Sequence, residues 1–174
     1  MIKTDKIAVV ILNWNGRDMM RRFLPSVVKN SQPEGGVIVA DNGSTDESLQ
    51  MLTEEFPEVL QLPLPQNYGF AEGYNQALKQ LDAPYYLLLN SDVEVPEHWL
   101  TPLLAYMEAH PETAACQPKL LSQKDKTMFE YAGGAVLLMP MATLFVVDVS
   151  SLTSNKTKDN TTPSARCFGP QAQP

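Results

Sequence analysis

KIAVVILNWNG, residues 6–16, decides the fold. Residues 7–12 form a continuous apolar run dominated by β-branched side chains. A strand with one wet face would alternate apolar and polar residues. An unbroken run is what a strand buried on both faces of a parallel sheet requires. The run then stops in Asn13, Trp14, Asn15 and Gly16, a polar loop at the strand's carboxyl end. Residues 37–40 (VIVA), 59–64 (VLQLPL), 85–89 (YYLLL) and 114–117 (AACQ) predict further strands.

Helical patterns fall between these runs. Ser44 and Glu47 have the spacing of a capping box, which predicts a helix from there to residue 55. Residues 71–81 carry helical apolar spacing. Pro96 is placed as a first-turn proline ahead of a helix over 97–110, closed by Pro111. Pro25 predicts a break in the first helical stretch. Strand–helix alternation implies an α/β fold, an open parallel sheet with helices on both faces. Ligands of such sheets bind at the carboxyl ends of the strands.

Composition narrows the classes. With 174 residues the chain can bury a real core, and 44% apolar residues is ordinary for a globular domain. The net charge of −7, from 13 Lys/Arg and 20 Asp/Glu, argues against a nucleic-acid partner, which needs cations for phosphates. Cys116 and Cys167 supply neither a disulfide framework nor a metal-ligand spacing. Lys3, Asp5 and Lys6 break any early apolar run, so no secretory signal is expected, and the sequons at Asn42, Asn155 and Asn160 read as chance. The longest apolar stretch, 135–147, holds Pro140 and is too short to span a bilayer, so no transmembrane segment is expected. The expected location is cytoplasmic, with peripheral attachment at the inner face of the membrane.

Four polar or glycine-rich segments follow strands: Asn13 to Gly16, Asp41 to Asp46 (DNGSTD), Asn67 to Asn75 (NYGFAEGYN) and Asn90 to Glu94 (NSDVE). Each can serve a ligand. The Asp41 carboxylate can accept a hydrogen bond from a base N–H. Trp14 offers a flat face for stacking. Gly69 and Gly73 allow close backbone approach. Asp92 is a hard oxygen ligand of the kind that Mg²⁺ or Mn²⁺ takes. Singly, each has a plainer reading: a turn with Asn42-Gly43, a capping Asp92, a core Trp14. Their joint occurrence at strand ends favours a site. Glu94, Glu97 and Glu112 read as surface residues, and His98 and His110 as exposed ones.

In this order and spacing, NWNG, ADNGSTDES, NYGFAEGYNQAL and LLLNSDVEV resemble the family 2 glycosyltransferases of the GT-A fold, nearest to a rhamnosyltransferase-like branch. The likeness runs over about residues 6–134. It implies a Rossmann-like nucleotide-binding sheet with flanking helices and a truncated C-terminal part. It implies inverting transfer of a sugar from a UDP- or dTDP-type donor to a glycan or lipid-linked acceptor, assisted by a divalent cation. Asn13, Trp14, Asn15, Asp41, Asn42 and Gly43 would line the nucleotide site. Asn67, Gly69, Gly73 and Asn75 would close over the donor. Asn90 and Asp92 stand where the family has a metal-binding Asp-x-Asp, with Asn90 replacing the first carboxylate. The catalytic base of the family lies in the second half, and no matching acidic motif is present, so the chain is expected to lack turnover.

After residue 134 the family pattern is lost, which divides the chain into 1–134, a nucleotide-sugar-binding half domain, and 135–174, an atypical tail. Read one base out of frame, residues 135–148 can encode GFIDAYGYPFCRG, which resembles the family's continuation. Met139 and Met141, having a single codon, fix Ala and Gly in that frame. A frameshifted tail is the expectation, against a genuine strand at 135–147 followed by a disordered terminus; sequencing the encoding DNA decides between them. Two other functions remain open: a nucleotide-sugar-binding module without transfer, and a sugar nucleotidyltransferase-like enzyme. The chain has neither G-x-G-x-x-G nor G-K-[ST] after its first strand, which removes dinucleotide and P-loop enzymes.

Overall fold

The computed structural model describes residues 1–131 and the strands Leu138–Met139 and Ala142–Thr143. Along the first hundred residues run β1 (Ile2–Lys3), β2 (Ile7–Asn13), α1 (Arg17–Ser31), β3 (Gly35–Asp41), α2 (Ser48–Glu55), β4 (Leu60–Pro63), α3 (Phe70–Leu78), β5 (Leu81–Asp82) and β6 (Tyr85–Leu89). There follow α4 (Leu100–Ala109), β7 (Leu120–Leu121), β8 (Phe129–Tyr131), β9 (Leu138–Met139) and β10 (Ala142–Thr143). The chain divides into two units, Met1–Leu100 and one that begins at Thr101.

In the first unit β4, β3, β2 and β6 form a parallel sheet in that order. The apolar run of β2 is buried throughout except at half-buried Leu12, as a strand covered on both faces must be. On one face Ala8, Val10, Ile38, Ala40 and Leu62 pack with Tyr74 and Ala77 of α3 and Leu81 of β5. The alternate residues point to the other face. There a Cβ on Gly35 would meet Val9, the Ser31 carbonyl and Leu100, which puts the end of α1 on that side. A short parallel pair, β1 with β5, flanks the sheet.

The winding locates the site. From β2 the chain steps to β3 and then β4, and it returns to the opposite side of β2 to form β6. The direction reverses between β2 and β6, so their carboxyl ends flank a topological switch point, where open α/β sheets bind ligands.

Several local expectations change. Helix α1 runs unbroken through Pro25. Pro25 is exposed, and buried Phe23, Leu24 and Val27 hold the helix on both sides of it, so tertiary burial overrides the lost hydrogen bond. The Ser44–Glu47 capping box does not form: α2 opens at Ser48, and Asp46 Oδ1 accepts from the Ser48 backbone N–H at 3.1 Å and from its hydroxyl. Helix α3 stops at Leu78, because Leu81 leaves to pair with Ile2. Helix α4 starts at Leu100 rather than 97, with Pro102 in its first turn; His98 has φ +57°, which no helix accommodates. The strand predicted at 114–117 is absent apart from a lone bridge at Gln117, since Ala-Ala-Cys offers little side chain for a sheet to pack.

In the second unit Leu103, Leu104 and Tyr106 of α4 are buried, and β7 pairs antiparallel with β8. His110 is half-buried rather than exposed: its ring stacks on Tyr106 at 4.2 Å. The half-buried Cys116 thiol has its pKa raised by burial. Among the described residues no helix is long and apolar enough to cross a membrane. The boundary at 134, the reading-frame expectation, the apolar stretch 135–147, the sequons at Asn155 and Asn160, and Cys167 lie outside the described residues, except for the pairing of β9 with β10.

Candidate functional site at the carboxyl edge of the sheet

Strands β2 and β3 end in register, Asn13 opposite Asp41, and this sets the site. Asn13 Nδ2 donates to Asp41 Oδ1 at 2.9 Å and to Ser44 Oγ at 3.1 Å. Asp41 Oδ2 accepts from the Ser44 backbone N–H at 2.9 Å. Both side chains are closed off, at 1% and 2% exposure. Asn13 Oδ1 is buried without a hydrogen-bond partner, and a Cβ on Gly16 would sit 2.5 Å from it, so glycine at 16 leaves this amide its room. The pair is a buried polar joint between two loops, held by charge-assisted hydrogen bonding.

Asn15 ties the same loops from outside. Its Oδ1 accepts from the backbone N–H of Thr45 at 2.8 Å and of Asp46 at 3.3 Å, and its own N–H donates to Ser44 Oγ at 2.9 Å. Asn15 takes φ +50°, a conformation that asparagine tolerates better than most residues. Asp46 serves two helices, since its Oδ2 also accepts from the first amide of α1, Arg17 N, at 3.2 Å. Burial acts to raise the Asp46 carboxyl, but the hydrogen bonds from Ser48 and Arg17 outweigh it and hold the group below its ordinary value. Outside, Arg17 pairs with Glu47 at 2.6 Å and Arg21 with Glu55 at 2.6 Å, exposed bridges that add little to stability.

Asn42 secures the third segment. It is 2% exposed; its Nδ2 donates to Asn67 Oδ1 at 3.0 Å and to the Gly69 carbonyl at 2.9 Å, and its Oδ1 accepts from Tyr68 N at 3.0 Å. Gly43, at φ +72°, lies against this segment: a Cβ would fall 2.6 Å from the Gln66 carbonyl carbon and 2.8 Å from Asn67 N. Gly73 is buried where α3 crosses β2, and a Cβ there would press on Leu12 and Asn42, so packing sets its size. Gly69, at φ +75°, faces open space. Asn75 is exposed and donates to Glu72 at 3.3 Å. This bond and one from Gln76 lower the Glu72 pKa.

The open surface comes from other residues. Trp14 is 58% exposed at the tip of the first loop. Asn67, Asn90 and Asp92 are exposed, and Ser91 and Asp92 form a turn just past β6. Asn90, Ser91 and Asp92 present an amide, a hydroxyl and a carboxylate, all hard oxygen donors. Among the described residues no group of three His, Cys, Asp or Glu could hold a metal ion. That donor set fits a cation that keeps several waters and takes phosphate oxygens from a ligand, as Mg²⁺ and Mn²⁺ do.

The structure thus brings Asn13, Asn15, Asp41, Asn42, Gly43, Asn67 and Gly69 into one hydrogen-bonded or close-packed cluster, with Trp14 at its rim. Asn90 and Asp92 follow the neighbouring strand β6 across the switch point. Sequence reasoning missed Ser44 and Asp46 as links between loops. Their signal was the repeated Ser/Thr/Asp composition, which also fits an ordinary cap.

Known proteins share this chain's sequence pattern and fold. The model of glycosyl transferase family 2 matches residues 8–159. An N-acetylglucosaminyl-diphospho-decaprenol L-rhamnosyltransferase of Mycobacterium tuberculosis is 33% identical over 78 residues, covering 45% of this chain and 25% of that protein. The crystal structure of Staphylococcus aureus TarS 1–349 in complex with UDP-GlcNAc superposes with a TM-score of 0.58 at 26% identity, covering 66% of this chain and 34% of that one. A mannosyltransferase from Pyrobaculum calidifontis, in complex with GDP-Man and Mn²⁺, shares the fold at a TM-score of 0.54 and 16% identity, covering 70% of this chain and 37% of that one. The chain therefore spans between 25% and 37% of the length of these relatives. With its family model matched over most of its length and its sheet edge built as described, this chain belongs to glycosyl transferase family 2.

Proposed function

We propose that the chain binds a nucleoside-diphosphate sugar across the carboxyl ends of β2, β3 and β6, as the donor side of a glycosyltransferase. The observation that carries this reading is the hydrogen-bonded junction of the loops after β2 and β3 beside an exposed Trp14, across a switch point from Asp92. Trp14 stacks on the base, and the Asp41 loop holds the base and ribose. Asn67, Gly69 and Asn75 border the sugar. Asn90, Ser91 and Asp92 hold a divalent cation. When bound, such a cation supplies positive charge to a diphosphate leaving group. UDP and dTDP donors both suit the reading, and the acceptor is a glycan or a lipid-linked glycan. A lipid-linked acceptor would bring the protein to the cytoplasmic membrane surface.

Sugar transfer with inversion also needs a base that takes the acceptor's proton. None of the described residues is assigned that role, so residues 1–131 constitute a donor-binding half, and turnover is not expected from them alone. The test is calorimetric titration of UDP and dTDP with and without Mn²⁺. Asp92→Ala should abolish the tightening by Mn²⁺. Asp41→Ala should weaken binding with or without it. If both variants bind like the parent, the assignment of the sheet edge is wrong.

A further inference from the structure

We propose that Tyr74, Ser26 and Asn30 are positioning residues for the Asp92 carboxylate, an inference that rests on the reading of Asp92 as a cation ligand. Asp92 lies in the middle of residues 90–94, an exposed turn without regular structure. A carboxylate on such a segment gains affinity for a cation only if the backbone holds it near the coordinating position, because Mg²⁺ and Mn²⁺ tolerate little distortion of their shell.

Both ends of the turn are staked. At the entry, the Tyr74 hydroxyl of α3 donates to the Leu89 carbonyl at 3.1 Å. Tyr74 is buried in the core beneath the sheet, and burial raises its pKa against a smaller lowering by the Leu12 backbone. The phenol therefore remains a neutral donor at physiological pH. At the exit, α1 grips both backbone groups of Val95. Asn30 Nδ2 donates to the Val95 carbonyl at 2.8 Å, and the Val95 amide donates to Ser26 Oγ at 3.3 Å. The Ser26 proton is committed to the Phe23 carbonyl at 2.9 Å, which turns an oxygen lone pair toward Val95. Ser26 and Asn30 are four residues apart on one helical face. The Val95 side chain is itself buried, so the clamp closes on a fixed residue.

The two stakes come from opposite faces of the sheet, α3 on one and α1 on the other. The five residues between them are held as a short span with fixed ends, which restricts where the Asp92 carboxylate can go. Loop residues without such stakes pay the ordering cost on binding.

The experiment measures UDP affinity of the full chain at zero and at saturating Mn²⁺, for the parent and for Ser26→Ala, Asn30→Leu, Tyr74→Phe and Ser26→Thr. The readout is the ratio of the two dissociation constants, with a thermal melt confirming that each variant is folded. The first three variants should each lose about two- to tenfold of the tightening by Mn²⁺, the range of one hydrogen bond, while affinity without Mn²⁺ changes less than about twofold. Ser26→Thr, which keeps the hydroxyl, should retain the parental ratio. If the folded variants keep the parental ratio, or lose affinity equally with and without Mn²⁺, the three residues merely support the fold and the proposal is overturned. A parent chain that shows no response to Mn²⁺ refutes the reading of Asp92 itself, before any variant is compared.

Discussion

Asn13→Asp tests the junction of β2 and β3 directly. In the native chain a neutral amide donates to the Asp41 carboxylate across 2.9 Å, and both groups are almost wholly buried. The substitution keeps size and shape and replaces the donor by a second carboxyl. Two unit charges ~4 Å apart, at an effective dielectric of ~20, repel by about 4 kcal/mol. For a chain of this size each kcal/mol moves Tm by about 2–4 °C, so the variant should melt about 8–16 °C below the parent at pH 7.5. The penalty exists only when both carboxyls are ionised. One of the pair in the variant will hold its proton to a higher pH in the folded state than in the unfolded chain. A folded-state value raised in this way gives a contribution that is complete below the unfolded value, about 4, and is lost as pH rises through the raised one. The gap in Tm between variant and parent should therefore be small near pH 4 and widen toward neutrality. Melts across that range are the assay. The exchanged pair, Asn13→Asp with Asp41→Asn, restores one carboxylate facing one amide and should recover most of the loss at pH 7.5. A gap that stays constant with pH, or a double variant no better than the single one, would show that these side chains are not held against each other.

Other expectations follow from single residues. Gly43→Ala combines left-handed backbone strain of about 1–2 kcal/mol with a clash against the Gln66 backbone, whereas Gly69→Ala carries strain alone; melts should rank Gly43→Ala as the more destabilising. Trp14→Ala should leave Tm unchanged, because the ring is mostly exposed, yet weaken UDP binding about 5- to 100-fold for a lost base stack; unchanged affinity would remove Trp14 from the site. Asp46, held below its ordinary value by Ser48 and Arg17, contributes stability above the unfolded aspartate value of about 3.9 that is lost as pH falls through the folded one. Asp46→Asn should accordingly melt below the parent at pH 7, with the difference shrinking toward pH 3, and a difference that grows in acid would reverse the assignment.

The parallel sheet was legible because burial on both faces writes itself as a continuous apolar run, and 7–12 is such a run; 85–89 is as apolar, yet Tyr86 and Leu88 are exposed on one face of β6. The loops after them were legible because polar residues begin where the apolar runs stop, with Asn13 and Asp41 as the last residues of β2 and β3. Helix limits were less legible, for reasons visible in individual residues. Pro25 faces solvent, where its missing N–H does little harm, and the buried residues around it keep α1 straight through. Ser44, spaced as a cap, is instead drawn off by Asn13 and Asn15, which lie about thirty residues earlier in sequence. Such long-range partners leave no local trace. The same blindness affects the site. Sequence places Asn13, Trp14, Asp41, Asn42 and Asp92 together as polar or aromatic residues at strand ends, and it does not separate the buried from the open. The structure does: Asn13 and Asp41 spend their side-chain hydrogen bonds on each other and Ser44, and Asn42 spends its own on residues 67–69, while Trp14, Asn90 and Asp92 face outward. A ligand entering from solvent meets the second group first. The first group fixes where the second stands, and Asp41 can touch a base only through lone pairs left over from Asn13 and Ser44. Substitutions in the buried group should therefore change melting and binding together, and substitutions in the open group should change binding alone.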